Sequence, residues 1–333
     1  MKVQRFRRNK KIDVILIGDL NPDIVLSGLS GLPCFGREEL AATAKTTLGG
    51  STAICSCQMA RLGLKVELIS KIGSDYFGEF CVNQLKQSKV GTSSIKYSSS
   101  VKTGLTVSLT GTGDRALFTF LGSIAALSFD DIDLTDLRKA RHLHVSSYYL
   151  QAGLRSHFPS LFREAKRLGL TTSFDPGWDP TEHWKSDILA VLEHTDVFLP
   201  NRDELLRIFG EKDVSRALDR ASKIATMVVT KMGKEGAILQ QEELIIAMPS
   251  CPIQAVDTTG AGDSFNAGFI FAWLEGMNLE NCLRYGNACG ALRASADEGT
   301  PGFFSFEEVS NFFEKHKPVM NAQSLGQRKM SDE

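Results

Sequence analysis

Between residues 257 and 265 the chain reads Asp-Thr-Thr-Gly-Ala-Gly-Asp-Ser-Phe. Two glycines, Gly260 and Gly262, flank Ala261, so the backbone can turn tightly and bring successive N–H groups against a ligand with no Cβ in the way. The apolar run after Phe265 predicts a helix to about Glu275. The first N–H groups of such a helix lack intrahelical partners, and its N-terminus carries partial positive charge that favours an anion. Asp263 stands at the same terminus. A carboxylate beside an anion hole suits phosphoryl transfer, in which a base accepts the proton of the attacking hydroxyl. The alternative is an early-turn acid that complements the helix dipole, worth about 0.3–1 kcal/mol.

Other polar groups fall where strands end. The apolar run Ile12 to Ile17 closes on Gly18 and is followed by Asp19-Leu20-Asn21-Pro22-Asp23. In open α/β sheets ligands bind outside the carboxyl ends of strands. Asn21 both donates and accepts while Asp23 only accepts, a pairing suited to vicinal hydroxyls, although a plain polar turn uses the same residue types. Gly49-Gly50 precedes a helix-like run through Leu62; it permits close approach to a ligand or makes a flexible turn. Asn201 and Glu204 have the spacing of a capping box, and the same oxygen donors suit hydrated Mg2+. Thr230-Lys231-Met232-Gly233-Lys234-Glu235-Gly236 fits a loop pressed against a nucleotide or an ordinary hairpin connection. Asp175-Pro176-Gly177-Trp178-Asp179 follows another strand. His142 and His144 share one strand face with no His or Cys close by, and read as packed or surface histidines. Neither GxxxxGK[ST] nor a GxGxxG after the first strand occurs.

Placing these groups on one rim takes a regular framework. Strands are expected near 66–70, 142–146, 170–174, 196–199 and 226–230, with helical patterns near 76–86, 155–168, 186–194, 203–224 and 279–296. This alternation predicts an α/β fold, a Rossmann-like and mostly parallel sheet with helices on both faces. Extended segments at 38–47, 105–109 and 116–121 break the rhythm, the last two joined by Gly111-Thr112-Gly113-Asp114. They are expected to form a small β-sheet lid that keeps water from the phosphoryl group. The organisation is then an α/β core of 12–23, 49–102 and 124–315, a lid of 24–48 and 103–123, and polar tails at 1–11 and 317–333. Exposed edges of the lid sheet suit pairing into a homodimer.

The composition sets bounds. A net charge of -1 and 42% hydrophobic residues fit a globular enzyme and call for neither nucleic acid nor an anionic membrane as partner. The 333 residues suffice for one large α/β domain with an inserted piece or for two ordinary domains. Seven cysteines without a CxxC pair read as reduced thiols in a cytoplasmic protein. The basic MKVQRFRRNKK stretch has no apolar segment of signal-peptide kind behind it, and no run is long enough to span a bilayer.

The nine-residue string, together with the Gly-Gly and NxxE segments in the same order, resembles the PfkB-type, or ribokinase-like, sugar and nucleoside kinases over roughly residues 12 to 315. The resemblance implies transfer of the ATP γ-phosphate to a hydroxyl of a small sugar or related polyol. It implies Asp263 as the base, with the Gly260, Ala261 and Gly262 amides as the anion hole. By the same likeness Asn21, Asp23, Gly49 and Gly50 bind the sugar, and Thr230, Gly233, Gly236 and Asn287 contact the nucleotide. Asn201 and Glu204 match the Mg2+ segment. Asp257 and Thr259 match positions where many members bind a monovalent cation, usually K+. Two departures stand out: Ile54 replaces the asparagine of ribokinases after Gly-Gly, and Ser146-Ser147-Tyr148-Tyr149 lies where they carry a glutamate. An aliphatic side chain cannot hydrogen-bond a sugar hydroxyl, so ribose is disfavoured as acceptor. Alternatives are an adenosine-like nucleoside acceptor and a non-catalytic sugar sensor on the same scaffold.

Overall fold

Alternate residues of the strand Ile12–Ile17 enter different cores: Val14 and Leu16 face one apolar cluster, Ile15 and Ile17 the other. A strand buried on both faces has to be apolar throughout, which is why this run carried so clear a signal. The computed structural model describes residues 10–31, 33, 35–111, 115–184, 187–296 and 302–316. The expected hairpin tip at 112–114 and most of both tails lie outside these residues.

In chain order the strands are β1 (Ile12–Ile17), β2 (Asn21–Leu29), β3 (Thr43–Gly49), β4 (Val66–Ile69), β5 (Lys71–Gly73), β6 (Lys96–Ser98) and β7 (Leu105–Gly111). Then come β8 (Arg115–Phe120), β9 (Ala140–Val145), β10 (Thr171–Phe174), β11 (Val197–Phe198), β12 (Val228–Lys231), β13 (Ala237–Gln241) and β14 (Leu244–Met248). The large sheet runs β14-β13-β12-β11-β10-β9-β1-β4, parallel from β12 to β4, with β13 and β14 antiparallel. The expected ribokinase-like, mostly parallel sheet is present. β1 feeds β4 on one side and pairs with β9 on the other, so the strand order reverses there and opens a crevice above the carboxyl ends. A second sheet, β3-β2-β7-β8, stands apart from the first, and β5 pairs with β6.

The helices Ser51–Arg61, Ala261–Leu274 and Leu279–Ser295 contribute to one core, and Phe158–Arg167, Ile188–Leu192, Arg202–Phe209 and Val214–Ser222 to the other. From Ser264 to Leu274 every residue is buried; a helix apolar on all sides belongs in the interior. Two expectations are revised. The single helical pattern at 203–224 is two helices, because Gly210 closes the first in a left-handed conformation (φ 64°) and the Asp213 side chain caps the second. Asn21 to Asp23 is not a turn after β1 but the start of β2, held in register by pairing of Asn21 with Gly49.

Candidate active site

Gly260 is the N-cap of the helix Ala261–Leu274 and needs its φ of 75°, a conformation glycine adopts without strain. Of the three amides expected to receive an anion, Ala261 N–H donates to the Thr258 carbonyl at 3.2 Å. Those of Gly260 and Gly262 have no partner among the described residues. Asp263 follows in the same turn. Burial pushes its carboxyl up to about 7, aided by the charges of Asp175 and Asp19 and opposed by Lys231 and by a hydrogen bond with the Ser51 side chain.

Lys231, at the end of β12, lies beneath this turn: a Cβ built on Gly262 would come within 3.8 Å of its ammonium nitrogen. Its Nζ is 2.6 Å from Asp175 and 3.2 Å from the Asn266 side-chain oxygen, and the Asn266 amide also donates to Asp175. Burial opposes ionisation of Asp175; the Lys231 charge and these hydrogen bonds overcome it and hold the acid below its ordinary range. Glu204 faces the same charges. It is pushed up to about 8, first by burial and then by Asp175. Asn201 and Glu204 form a reciprocal capping box, with Glu204 Oε2 accepting the Asn201 N–H at 2.8 Å and Asn201 Oδ1 the Glu204 N–H at 2.9 Å. The cap leaves Glu204 Oε1 and a second lone pair on the single Asn201 amide oxygen, so it does not by itself bar the pair from a hydrated cation.

On the other side of the crevice Asp19 takes the place of a missing cap. Gly50 precedes the helix Ser51–Arg61 and has no side chain to offer, so Asp19 accepts from the Ser51 and Thr52 N–H groups, both at 2.9 Å. Ser147, at the end of β9, donates to the same carboxylate at 2.9 Å. Asn21 Nδ2 donates to Asp23 Oδ1 at 3.0 Å. Gly49 is required next to them, because a Cβ there would fall 2.2 Å from Asp23 Cγ, inside its carboxylate. Asn21, Asp23, Gly49 and Gly50 are therefore one cluster.

Thr230 is buried at the end of β12, its hydroxyl without a partner among the described residues, and Gly233 and Gly236 shape the turn that follows (φ 59° and 101°). Asn287 donates to the Met248 and Pro249 carbonyls at 3.3 and 3.0 Å, fixing the chain beside that turn. Asp257 accepts the Thr259 N–H at 2.9 Å, and the Thr259 carbonyl accepts from Arg293 Nε, also at 2.9 Å. His142 and His144 are buried between Thr171, Ser173 and Ser146 hydroxyls rather than gathered around a metal.

The model of the pfkB family carbohydrate kinases matches residues 11–301, most of the chain. The chain belongs to this family. It is a sugar kinase, a phosphotransferase with a hydroxyl acceptor. A sugar kinase of Archaeoglobus fulgidus is 31% identical over 73% of this chain and 98% of its own length. The 5-dehydro-2-deoxygluconokinase of Clostridium beijerinckii is 27% identical over 95% of this chain and 97% of its own. A putative ribokinase II from E. coli, solved in complex with ATP and Mg2+, superposes with a TM-score of 0.80 at 26% identity, covering 92% of this chain and all of the other.

Asp175 was placed on the rim only as part of a strand-end segment, and Lys231, Asn266, Asp19 and Arg293 were given no role of their own, in the sequence of this PfkB kinase. Lys231 and Asp175 did sit at strand ends, which was a usable signal. Their pairing spans 56 positions and that of Asn266 with Asp175 spans 91, separations no local pattern reports.

Proposed function

We propose that this kinase transfers the γ-phosphoryl group of ATP to a hydroxymethyl group of a small carbohydrate, with Asp263 as the base. The observation that carries this is an acid pushed up to about 7 in the first turn of a helix whose Gly260 and Gly262 amides are open. A base with its pKa near the working pH combines a useful ionised fraction with a useful proton affinity. Asp263 takes the proton of the acceptor hydroxyl, and the two amides stabilise charge on the phosphoryl oxygens. Lys231 holds Asp175 in place and draws Asp263 towards ionisation.

Asn21, Asp23, Gly49 and Gly50 orient the acceptor, supported by their assembly at one end of the small sheet. Thr230, Gly233 and Gly236 border the nucleotide, with Asn287 behind them. Asn201 and Glu204 would hold Mg2+ through water, since a buried acid facing further carboxylates suits a hard cation. Bound Mg2+ would supply positive charge against the triphosphate. The small sheet, with 24–48 and 103–123, serves as the lid over this site. A homodimer through that sheet is supported by edge strand β8, where Phe118 and Phe120 are 61% and 57% exposed on one face. The six cysteines among the described residues are free and buried, which suits a reducing, cytoplasmic setting.

The test is phosphorylation of a panel of ketoses, aldoses, sugar acids and nucleosides with ATP and Mg2+. Transfer to a carbohydrate hydroxymethyl is expected; transfer to nucleosides alone, or to nothing, would refute the proposal.

A further inference from the structure

Arg293 projects from the helix Leu279–Ser295 to the back of the anion hole. Its Nε donates to the Thr259 carbonyl at 2.9 Å and its Nη1 to the Gly302 carbonyl at 3.3 Å. Asp257, Asp263 and Asp23 all act on its charge, while burial draws its pKa down. A guanidinium stays ionised regardless. Ile54 and Arg293 both close in on Gly260, where a built Cβ would meet Ile54 Cγ2 at 3.2 Å and Arg293 Nε at 3.3 Å.

This is the place the family resemblance gave to K+, at Asp257 and Thr259. The oxygens there do not fit that ion in this chain. The Thr259 carbonyl accepts from a guanidinium, Asp257 Oδ1 accepts the Thr259 N–H, and the Asp257 charge faces Arg293. A second cation drawing on the same carbonyl would meet the repulsion of a fixed like charge. Resting on the anion-hole assignment above, we propose that Arg293 is the built-in cation of this kinase and that turnover needs no monovalent ion.

The chain also shows how such a cation would act. The Thr259–Gly260 peptide is trans, so its C=O and N–H point in opposite directions. Pinning the carbonyl on Arg293 aims the Gly260 N–H into the anion hole. The charge behind that peptide adds to the partial charge of the helix terminus. Arg293 is thus a positioning residue.

The experiment compares the full chain with R293A and R293K in KCl and in tetramethylammonium chloride at equal ionic strength. It reads turnover of ATP with the best carbohydrate acceptor, and the melting temperature with a nonhydrolysable ATP analogue. The native chain is expected to give the same turnover and the same melting temperature in both salts. R293A is expected to lose about 10²–10³-fold in tetramethylammonium, as when an anion-hole donor is removed, and to regain part of it with KCl or guanidinium chloride. Its analogue complex should melt higher in KCl, and R293K should retain more turnover than R293A. Activation of the native chain by KCl would overturn the proposal, and that comparison requires no variant to fold. So would an R293A that keeps full turnover without K+, or a loss that answers to neither cation. Absence of turnover in every salt would instead refute the kinase assignment on which it rests.

Discussion

Along β9 and β10, His142, Ser173 and His144 form a buried ladder, while a few residues further on Asp175, Lys231, Asp263 and Glu204 share a charged pocket at the carboxyl rim. In the ladder each ring nitrogen has a hydroxyl within 2.8 Å. The Thr171, Ser173 and Ser146 hydroxyls between them take up all four ring nitrogens. Burial holds both imidazoles neutral, drawing His142 well below its ordinary value and His144 down to about 4. The ladder is complete in itself. In the rim pocket three acids surround one lysine, and two of them are pushed up, Asp263 to about 7 and Glu204 to about 8. Burial of polar groups is common to both; unbalanced charge is what separates a site from a scaffold.

Asp263→Asn tests the comparison most severely. Turnover should fall about 10²–10⁴-fold, the usual contribution of a general base, with binding of a nonhydrolysable ATP analogue retained by calorimetry. Lys231→Met should come next. It leaves Asp175 buried without its cation, at about 3–5 kcal/mol by denaturant unfolding, and moves the acid limb of kcat/KM to higher pH because Lys231 holds Asp263 down.

A pH series sharpens the contrast. In the native enzyme kcat/KM should rise as Asp263 ionises around pH 7. The same raised pKa makes folding favour the protonated acid, so its stabilising contribution is full below the unfolded value of 3.8 and is lost as pH rises through about 7. Asp263→Asn should therefore gain in melting temperature relative to the native chain on going from pH 5 to pH 8. His142→Leu should do least to activity. It removes one of the two imidazole partners of the Ser173 hydroxyl, and the Thr171 hydroxyl's imidazole partner, and should cost about 1–3 kcal/mol in unfolding, with turnover and its pH profile unchanged.

Much of this was legible in the residues. The Asp257–Phe265 string located the helix that starts at Ala261, and the apolar runs located β1 and β9 to β12, because these elements are specified by local pattern. Gly210 and Asp213 between the helices Arg202–Phe209 and Val214–Ser222 were local signals too, overridden by a continuous helical period. β2 was illegible at its start, since Asn, Pro and Asp are poor strand formers and only pairing with Gly49 makes them one. β5 and β6, three residues each, are too short to show a period. The charges around Asp263 come from β10, β12 and the loop after β1, and their meeting is decided by the topology of the sheet. Arg293 reads in the sequence as one more cation in a last helical turn.

The pairing of Asn21 with Gly49 has a mechanical side. The residues proposed to hold the acceptor also stand where β2 begins and β3 ends, the points at which the chain enters and leaves the small sheet. A tilt of the small sheet would pivot on them and carry the Asp23 carboxylate with it. For the lid proposed above, recognition and closure would then be geared together, and an acceptor too short to touch Asp23 would leave the cover ajar.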